Sequence, residues 1–278
     1  PELPEVEVTR LGIAPHLQGQ VVTAVQILDG RLRWPVPKNL SKLLLGQKVK
    51  DIQRRGKYLL IEFATGHLLI HLGMTGTLRV LPLKEPLKLH DRVILEFGSL
   101  SLRLHDPRKF GAVLWHPASK GPIEKNLLLQ KLGVEPFSQE FEGEIGAELL
   151  YQSSRNRSVA VKQFLLEGQA VVGVGNIYCS ESLFKAGIHP AKPAGKLTRP
   201  QCSRLAEAVR FILKKAIAAG GSSDSGSPST LVKKIKEDLH PQNQESIDIW
   251  VVDDEPMNRQ VLEELLQLAG HRVRSFAD

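Results

Sequence analysis

The chain has 278 residues, 42% of them hydrophobic and 24% charged, which is enough apolar content to fill one large core or two modest ones and excludes disorder throughout. No apolar run approaches the roughly 18 to 20 residues that a membrane-spanning helix needs, and the first ten residues are polar rather than signal-like. We therefore expect a cytoplasmic protein without membrane contact. We also expect it to be a monomer.

Basic side chains outnumber acidic ones, 37 to 30, for a net charge of +7. Residues 246–278 hold seven acidic and three basic side chains, so the first 245 residues carry +11 and the rest −4. Because lysine and arginine displace counterions from nucleic-acid phosphates, a basic body is typical of a polyanion-binding protein. A merely basic solvated surface explains the charge equally well.

The first part of the chain predicts a sheet domain. After a short N-terminal helix, alternating apolar patterns predict strands at 21–28, 48–53, 58–63, 67–72, 77–81, 92–97, 100–104 and 112–115. Many short strands with closely spaced turns indicate an antiparallel β-sandwich or barrel, which we place at residues 1–120.

Helical patterns follow, so the predicted fold class is α+β. The helices are expected at 123–132, 145–152, 159–166, 177–186 and 200–219, in a second domain over residues 121–221. Thr198 is placed to cap the last helix, with Pro200 in its first turn and Gly220 after its end. A Gly- and Ser-rich stretch then predicts a flexible linker over 222–245.

The opening residues offer a reactive group. If Pro1 is the mature N-terminus, its nitrogen is a secondary amine that can attack an electrophilic sugar carbon. Pro4 suits the first turn of a helix whose positive end favours the free base of that amine. Glu2 and Glu5 would lie close enough to transfer protons. Alternatively, the chain merely begins at a proline and places acids in a first helical turn, where acids are favoured anyway.

Six motifs, in order across residues 1–221, resemble those of bacterial formamidopyrimidine-DNA glycosylase, which excises oxidised purines. They are PELPEVE (1–7), GRLRWPV (30–36), RRGKYLL (54–60), HLGMTGTLR (71–79), DPRKFG (106–111) and VVGVGNIYCSESLFKAGIHP (171–190). The resemblance implies a β-sandwich followed by a helix-two-turn-helix domain, with damaged double-stranded DNA bound in the cleft between them.

The resemblance also implies a chemistry. Pro1 would attack C1′ of the damaged nucleotide and form a Schiff base, and Glu2 would assist base release and ring opening. Lys57 would be the general acid/base group of β-elimination, although by itself it is typical of an exposed lysine in a β-turn. The expected activity is that of a base-excision repair glycosylase and AP lyase.

Excision of a base requires that its nucleotide leave the stack, and side chains then fill the gap. By resemblance the residues that fill the gap are Met74, Arg108 and Phe110. Each also has an ordinary explanation: Met74 could fill the core, Arg108 could form an ion pair in a turn, and Phe110 could be a hydrophobic residue at the edge of a strand. The residues that match the family's DNA-backbone contacts are His71, His90, Arg157, Lys162 and Asn176.

The GVGNIY stretch would hold a phosphate beside the extruded nucleotide. Gly173 and Gly175 permit close backbone approach, and Asn176 opens a predicted helix, whose N-terminus favours anions. Tyr178 is interpreted as a packing residue.

The sequence departs from the family after residue 221. The family's C-terminal zinc finger uses four cysteines and supplies an arginine for δ-elimination, whereas this sequence has two cysteines, Cys179 and Cys202. We therefore expect no zinc or other cofactor and do not expect full δ-elimination.

Residues 246–278 instead resemble the opening of a response-regulator receiver domain, with strands at 249–252 and 272–276, a helix at 256–268, and Asp253 and Asp254 as its acidic pair. So short a segment cannot form the usual doubly wound sheet, so we expect a truncated fragment without phosphotransfer.

Three other functions stay open at the level of the sequence. One is an endonuclease VIII-like glycosylase for oxidised pyrimidines, although PELPEVE and DPRKFG favour the purine enzyme. Another is a damaged-DNA-binding protein whose turnover is impaired by the missing finger. The third is a two-component signalling protein, which only the tail suggests.

Overall fold

The computed structural model describes residues 1–220, 248–252 and 272–276. Its helices are α1 (Leu3–Leu17), α2 (Leu40–Leu44), α3 (Gly143–Ser154), α4 (Val161–Leu166), α5 (Asn176–Ala186) and α6 (Arg199–Ala218). Its strands are β1 (Ala24–Ile27), β2 (Asp51–Arg55), β3 (Tyr58–Phe63), β4 (Gly66–His71), β5 (Thr77–Pro82), β6 (Asp91–Phe97), β7 (Leu100–His105), β8 (Ala112–Pro117), β9 (Asp248–Val252) and β10 (Arg272–Phe276).

The first eight strands form a β-sandwich, which confirms the prediction from the alternating pattern. They make two four-stranded antiparallel sheets, in the orders β1-β6-β7-β5 and β2-β3-β4-β8. Alternate residues of a strand face the same side, and in β3 these are Leu59, Ile61 and Phe63, which join the apolar cluster that both sheets share.

The helical domain has a separate apolar core, in which α6 packs against both α3 and α5. The predicted start of α6 is confirmed, because Thr198 Oγ1 accepts the Gln201 N–H at 3.3 Å and the Gln201 side chain accepts the Thr198 N–H at 3.0 Å. Helix α1 contacts β2 and also α6, so the beginning of the chain lies between the two domains.

One local prediction is wrong, and one helix was not predicted. Residues 123–132 form a 3₁₀ turn at Ile123–Lys125 instead of a helix. Asn126 Oδ1 accepts the Leu128 N–H at 3.0 Å, and this side-chain bond competes with helical hydrogen bonding. Helix α2 has no counterpart among the predicted elements, since five residues carry too little periodic signal.

Strands β9 and β10 pair in parallel, with Asp248 opposite Arg272 and Val252 opposite Phe276. They match the two strands predicted for the tail. The predicted linker at 222–245, the predicted helix at 256–268, and Asp253 and Asp254 lie outside the described residues.

Candidate active site

The Pro1 nitrogen lies at the junction of the two domains, half-buried at the start of α1. Burial lowers the pKa of this amine; the charges of Glu5 and Glu2 oppose the shift, and that of Lys57 adds to it. More of the amine is therefore the nucleophilic free base near neutral pH than in an exposed N-terminus.

The Glu2 carboxylate binds the N-terminus of α5 in the second domain. It accepts the backbone N–H of Gly175 at 2.8 Å, of Ile177 at 2.9 Å and of Tyr178 at 3.3 Å. Burial raises the pKa of Glu2, although Lys57 and the three N–H bonds favour its ionised form. Glu2 therefore holds its proton to a higher pH than an exposed glutamate, which suits a general acid.

Gly173 and Gly175 make room for α1. A Cβ on Gly175 would lie 2.5 Å from Glu2 Cδ, and a Cβ on Gly173 would overlap the Leu3 side chain. The Leu3 N–H also donates to the Gly173 carbonyl at 3.1 Å. The close approach predicted for these glycines is thus made by Glu2 and Leu3 at the start of α1.

Lys57 lies in the turn between β2 and β3. Burial lowers the pKa of its ammonium, against the charges of Glu2 and Glu5, which stabilise the protonated form. Lys57 is therefore partly buried and feels the charges of both carboxylates, unlike the exposed turn lysine that its local sequence suggests.

A carboxylate from the second domain fixes this turn, in a network that we call the Glu135 clamp. Glu135 Oε1 accepts the Gly56 N–H at 2.6 Å and Arg55 Nη1 at 3.1 Å, and its Oε2 accepts Arg54 Nη1 at 2.7 Å. Arg54 Nε also donates to Glu7 of α1 at 2.7 Å. Charge-assisted bonds of a largely buried arginine thus join the turn, α1 and the second domain. The sequence indicated no role for these residues, although all but Glu135 lie in the motifs RRGKYLL and PELPEVE.

His71, the last residue of β4, is close enough to the amines of Pro1 and Lys57 to feel their charges. Burial lowers the pKa of its imidazole to about 4, and the charges of Lys57, Arg33 and Pro1 lower it as well. Nδ1 accepts the Gly73 N–H at 3.0 Å, so the neutral ring carries its proton on Nε2 and can donate it. Arg33 is a further cation near the site that sequence reasoning missed, although it lies in the GRLRWPV motif.

The three predicted gap-filling residues lie on two loops that are joined to each other. Met74 is 64% exposed and Phe110 47% exposed, and the Arg108 guanidinium lies 4.8 Å from the centre of the Phe110 ring. Asp106 Oδ1 accepts the Thr75 hydroxyl at 2.9 Å and so links the loops. Exposure rules out the core-filler explanation for Met74 and leaves these side chains accessible to a ligand.

His90 lies beside one of these loops, whereas Asn176 lies at the start of α5. The His90 carbonyl accepts the Asp106 N–H at 3.0 Å, which places His90 beside the Arg108 loop. Its Nδ1 lies 3.3 Å from Arg92 Nη2. Asn176 is the exposed first residue of α5, next to the Glu2 carboxylate site.

Lys162 and Arg157 belong to the helical domain. The Lys162 carbonyl accepts the Cys179 thiol at 3.7 Å, so α4 adjoins α5 there. Arg157 Nη2 forms an ion pair with Glu167 at 2.7 Å, and its guanidinium lies 5.9 Å from the centre of the Phe164 ring. The structure therefore gives Arg157 a partner within its own domain and does not bring it together with Pro1, Glu2 and Lys57.

Within the described ranges, no group of three or more His, Cys, Asp or Glu side chains is arranged to hold a metal ion. Among the helices of that same part of the chain, none combines the length and the apolar character needed to cross a bilayer.

The fold and the site define a class of protein in which a β-sandwich presents an amine at its junction with a helix-two-turn-helix domain. The family model described as the formamidopyrimidine-DNA glycosylase N-terminal domain matches residues 1–113, and that of the H2TH domain of the same glycosylase matches residues 132–227. The chain belongs to the formamidopyrimidine-DNA glycosylase family, and the α+β fold predicted from the sequence is confirmed.

Relatives are similar over most of their length. The formamidopyrimidine-DNA glycosylase of Polynucleobacter necessarius subsp. necessarius is 82% identical over 223 residues, and that of Janthinobacterium sp. is 58% identical, each match covering 80% of both chains. A crystal structure of the Lactococcus lactis glycosylase bound non-covalently to DNA with an AP site has a TM-score of 0.74 at 32% identity, and the match covers 86% of each chain.

Proposed function

We propose that this chain is a bifunctional DNA glycosylase and AP lyase that removes oxidised purines from damaged double-stranded DNA during base-excision repair. The observation that carries the proposal is the half-buried Pro1 amine of lowered pKa beside Glu2 and Lys57 at the domain junction. Nucleophile, acid and second amine thus lie at one place. The Lactococcus lactis relative bound to AP-site DNA supports the same class of substrate.

In the proposed reaction the neutral Pro1 nitrogen bonds to C1′ while the bond from C1′ to the base breaks, and the base leaves with the electron pair and is protonated. The nitrogen loses its proton to Glu5, Glu2 protonates O4′ as the sugar ring opens, and an iminium joins Pro1 to C1′. Removal of a C2′ proton then breaks the C3′–O3′ bond. We assign this β-elimination to Lys57, whose lowered pKa provides some free amine.

The proposed DNA complex uses the two joined loops and the surrounding donors. Met74, Arg108 and Phe110 would fill the gap left by the extruded nucleotide, since they are exposed side by side at loop tips. The donors proposed for the DNA backbone are His71, His90, Arg157, Lys162 and Asn176. A neutral His71 that donates from Nε2 fits a phosphate oxygen without any change of charge.

Single-turnover reactions on duplexes with 8-oxoguanine test the proposal, with a duplex that carries an oxidised pyrimidine as the matched substrate. We expect nicking of the purine duplex and a protein–DNA crosslink when borohydride reduces the iminium. Binding without a crosslink or a nick would leave only a damaged-DNA-binding protein. Faster reaction with the oxidised pyrimidine would indicate endonuclease VIII-like specificity.

We also propose that residues 246–278 are a receiver-like segment beyond a linker at 222–245. The parallel pairing of β9 with β10 supports this, since consecutive strands of a doubly wound sheet run parallel. We further propose a monomer that acts without zinc in the cytoplasm, where bacterial DNA lies. Cys179 and Cys202 do not resemble finger ligands, because both are buried in the helices of the second domain.

A further inference from the structure

Tyr178 contacts both acids of the site from the second domain. Its hydroxyl donates to Glu5 Oε1 at 2.6 Å, and its backbone N–H donates to Glu2 Oε2 at 3.3 Å. The Glu2 N–H in turn donates to Glu5 Oε2 at 2.8 Å. These three hydrogen bonds close a ring through Glu2, Glu5 and Tyr178, which we call the Tyr178 ring.

The ring determines the state and direction of the Glu5 carboxylate. Each oxygen of Glu5 receives a donor, which fixes the rotation of the carboxylate, and a short bond from a phenol favours its ionised form. The negative charge of Glu5 acts on the Pro1 amine and on Lys57. Tyr178 is only 2% exposed, so its hydroxyl acts on the protein and is shielded from DNA in the cleft.

We propose that Tyr178 is a positioning residue, whose hydroxyl holds Glu5 ionised and oriented to take the proton that the Pro1 nitrogen loses. The inference rests on the proposed function. When the nitrogen lone pair forms the bond to C1′, the electrons of the C1′–base bond leave with the base, and the N–H proton passes to Glu5. Without the hydroxyl, Glu5 keeps one donor fewer and is both less ionised and less fixed.

The substitution Tyr178→Phe tests this, because it removes one oxygen and keeps the buried ring. We expect the single-turnover rate of crosslinking to 8-oxoguanine DNA to fall about tenfold, while the Kd for the same duplex stays within about twofold. Tyr151→Phe on α3 is the matched control, since that ring packs under Arg155 and Arg199 away from the acids. It should react like the unmodified chain.

A double-mutant cycle distinguishes action through Glu5 from a packing role. Glu5→Gln should slow crosslinking by at least as much as Tyr178→Phe, and adding Tyr178→Phe to Glu5→Gln should cause no further loss. Equal additional loss in that background, or weaker DNA binding with an intact rate, would establish packing and overturn the inference. If Tyr178→Phe does not fold, a full rate in Glu5→Gln alone overturns it.

The same experiment separates the two proposals. An unmodified chain that forms no crosslink defeats the proposed function, and the inference with it. An unmodified chain that reacts, together with a Tyr178→Phe variant that reacts equally fast, defeats only the role of Tyr178.

Discussion

Glu2 has two roles in this account, because its carboxylate would take part in the reaction and also joins α1 to the second domain. The same two oxygens that would protonate the sugar accept N–H groups of Gly175, Ile177 and Tyr178. Protonation weakens such bonds, since a carboxylate accepts more strongly than a carboxylic acid. Proton transfer by Glu2 is therefore linked to the contact between α1 and α5.

Gly175→Ala tests this arrangement. Because the new Cβ would lie 2.5 Å from Glu2 Cδ, we expect Glu2 to be displaced, base release to slow at least about tenfold, and stability to fall by about 1–3 kcal/mol. Gly12→Ala within α1 is the control, since a Cβ there meets nothing within 4 Å; it should gain up to about 1 kcal/mol. Single-turnover excision measures the rate of base release and denaturant unfolding measures the stability of both variants. Unchanged excision in Gly175→Ala would contradict the account.

At the scale of elements, the Glu135 clamp joins the β2–β3 turn to α1 and to the second domain. Glu135 binds this turn at Gly56, the residue before Lys57. The substitution Glu135→Gln keeps the shape of the side chain but removes its negative charge, which weakens its bonds to the turn. We therefore expect Lys57 to be less well placed and β-elimination to slow more than base excision does. Without alkali, nicking reports elimination; hot alkali cleaves every abasic site and so reports excision.

The matched control for Glu135→Gln is Glu148→Gln, which removes the charge from a solvent-exposed ion pair with Arg199. Such a pair contributes little to stability because solvent screens both charges, so both rates should stay unchanged. An equal loss of excision and elimination in Glu135→Gln would show a general loss of structure and argue against a specific effect on Lys57.

Much of the architecture could be predicted from local sequence, because the alternation in β3 and the Thr198 cap act through near neighbours. The Glu135 clamp could not be, since Glu135 and Gly56 are 79 residues apart and no local pattern links a carboxylate to a distant turn. The role of Gly175 was similarly hidden, because only the fold shows that the group approaching it is Glu2.

At the scale of the whole molecule, the site exists only where the two domains meet. Helix α1 belongs to the sandwich by its contact with β2, yet it also packs on α6 and places Glu2 on α5. The Pro1 amine lies beside this contact, and its burial is the first cause of its lowered pKa. The reactivity of the amine thus depends on the docking of one domain against the other.

The position of the covalent bond to DNA tests this account most directly. The borohydride-reduced complex with 8-oxoguanine DNA is digested with nuclease and protease, and the modified peptide is identified by mass spectrometry. We predict that the sugar remnant lies on the Pro1 nitrogen, and that a chain extended by one leading methionine forms no adduct. An adduct on the peptide that carries Lys57, or equal crosslinking by the extended chain, would contradict the account.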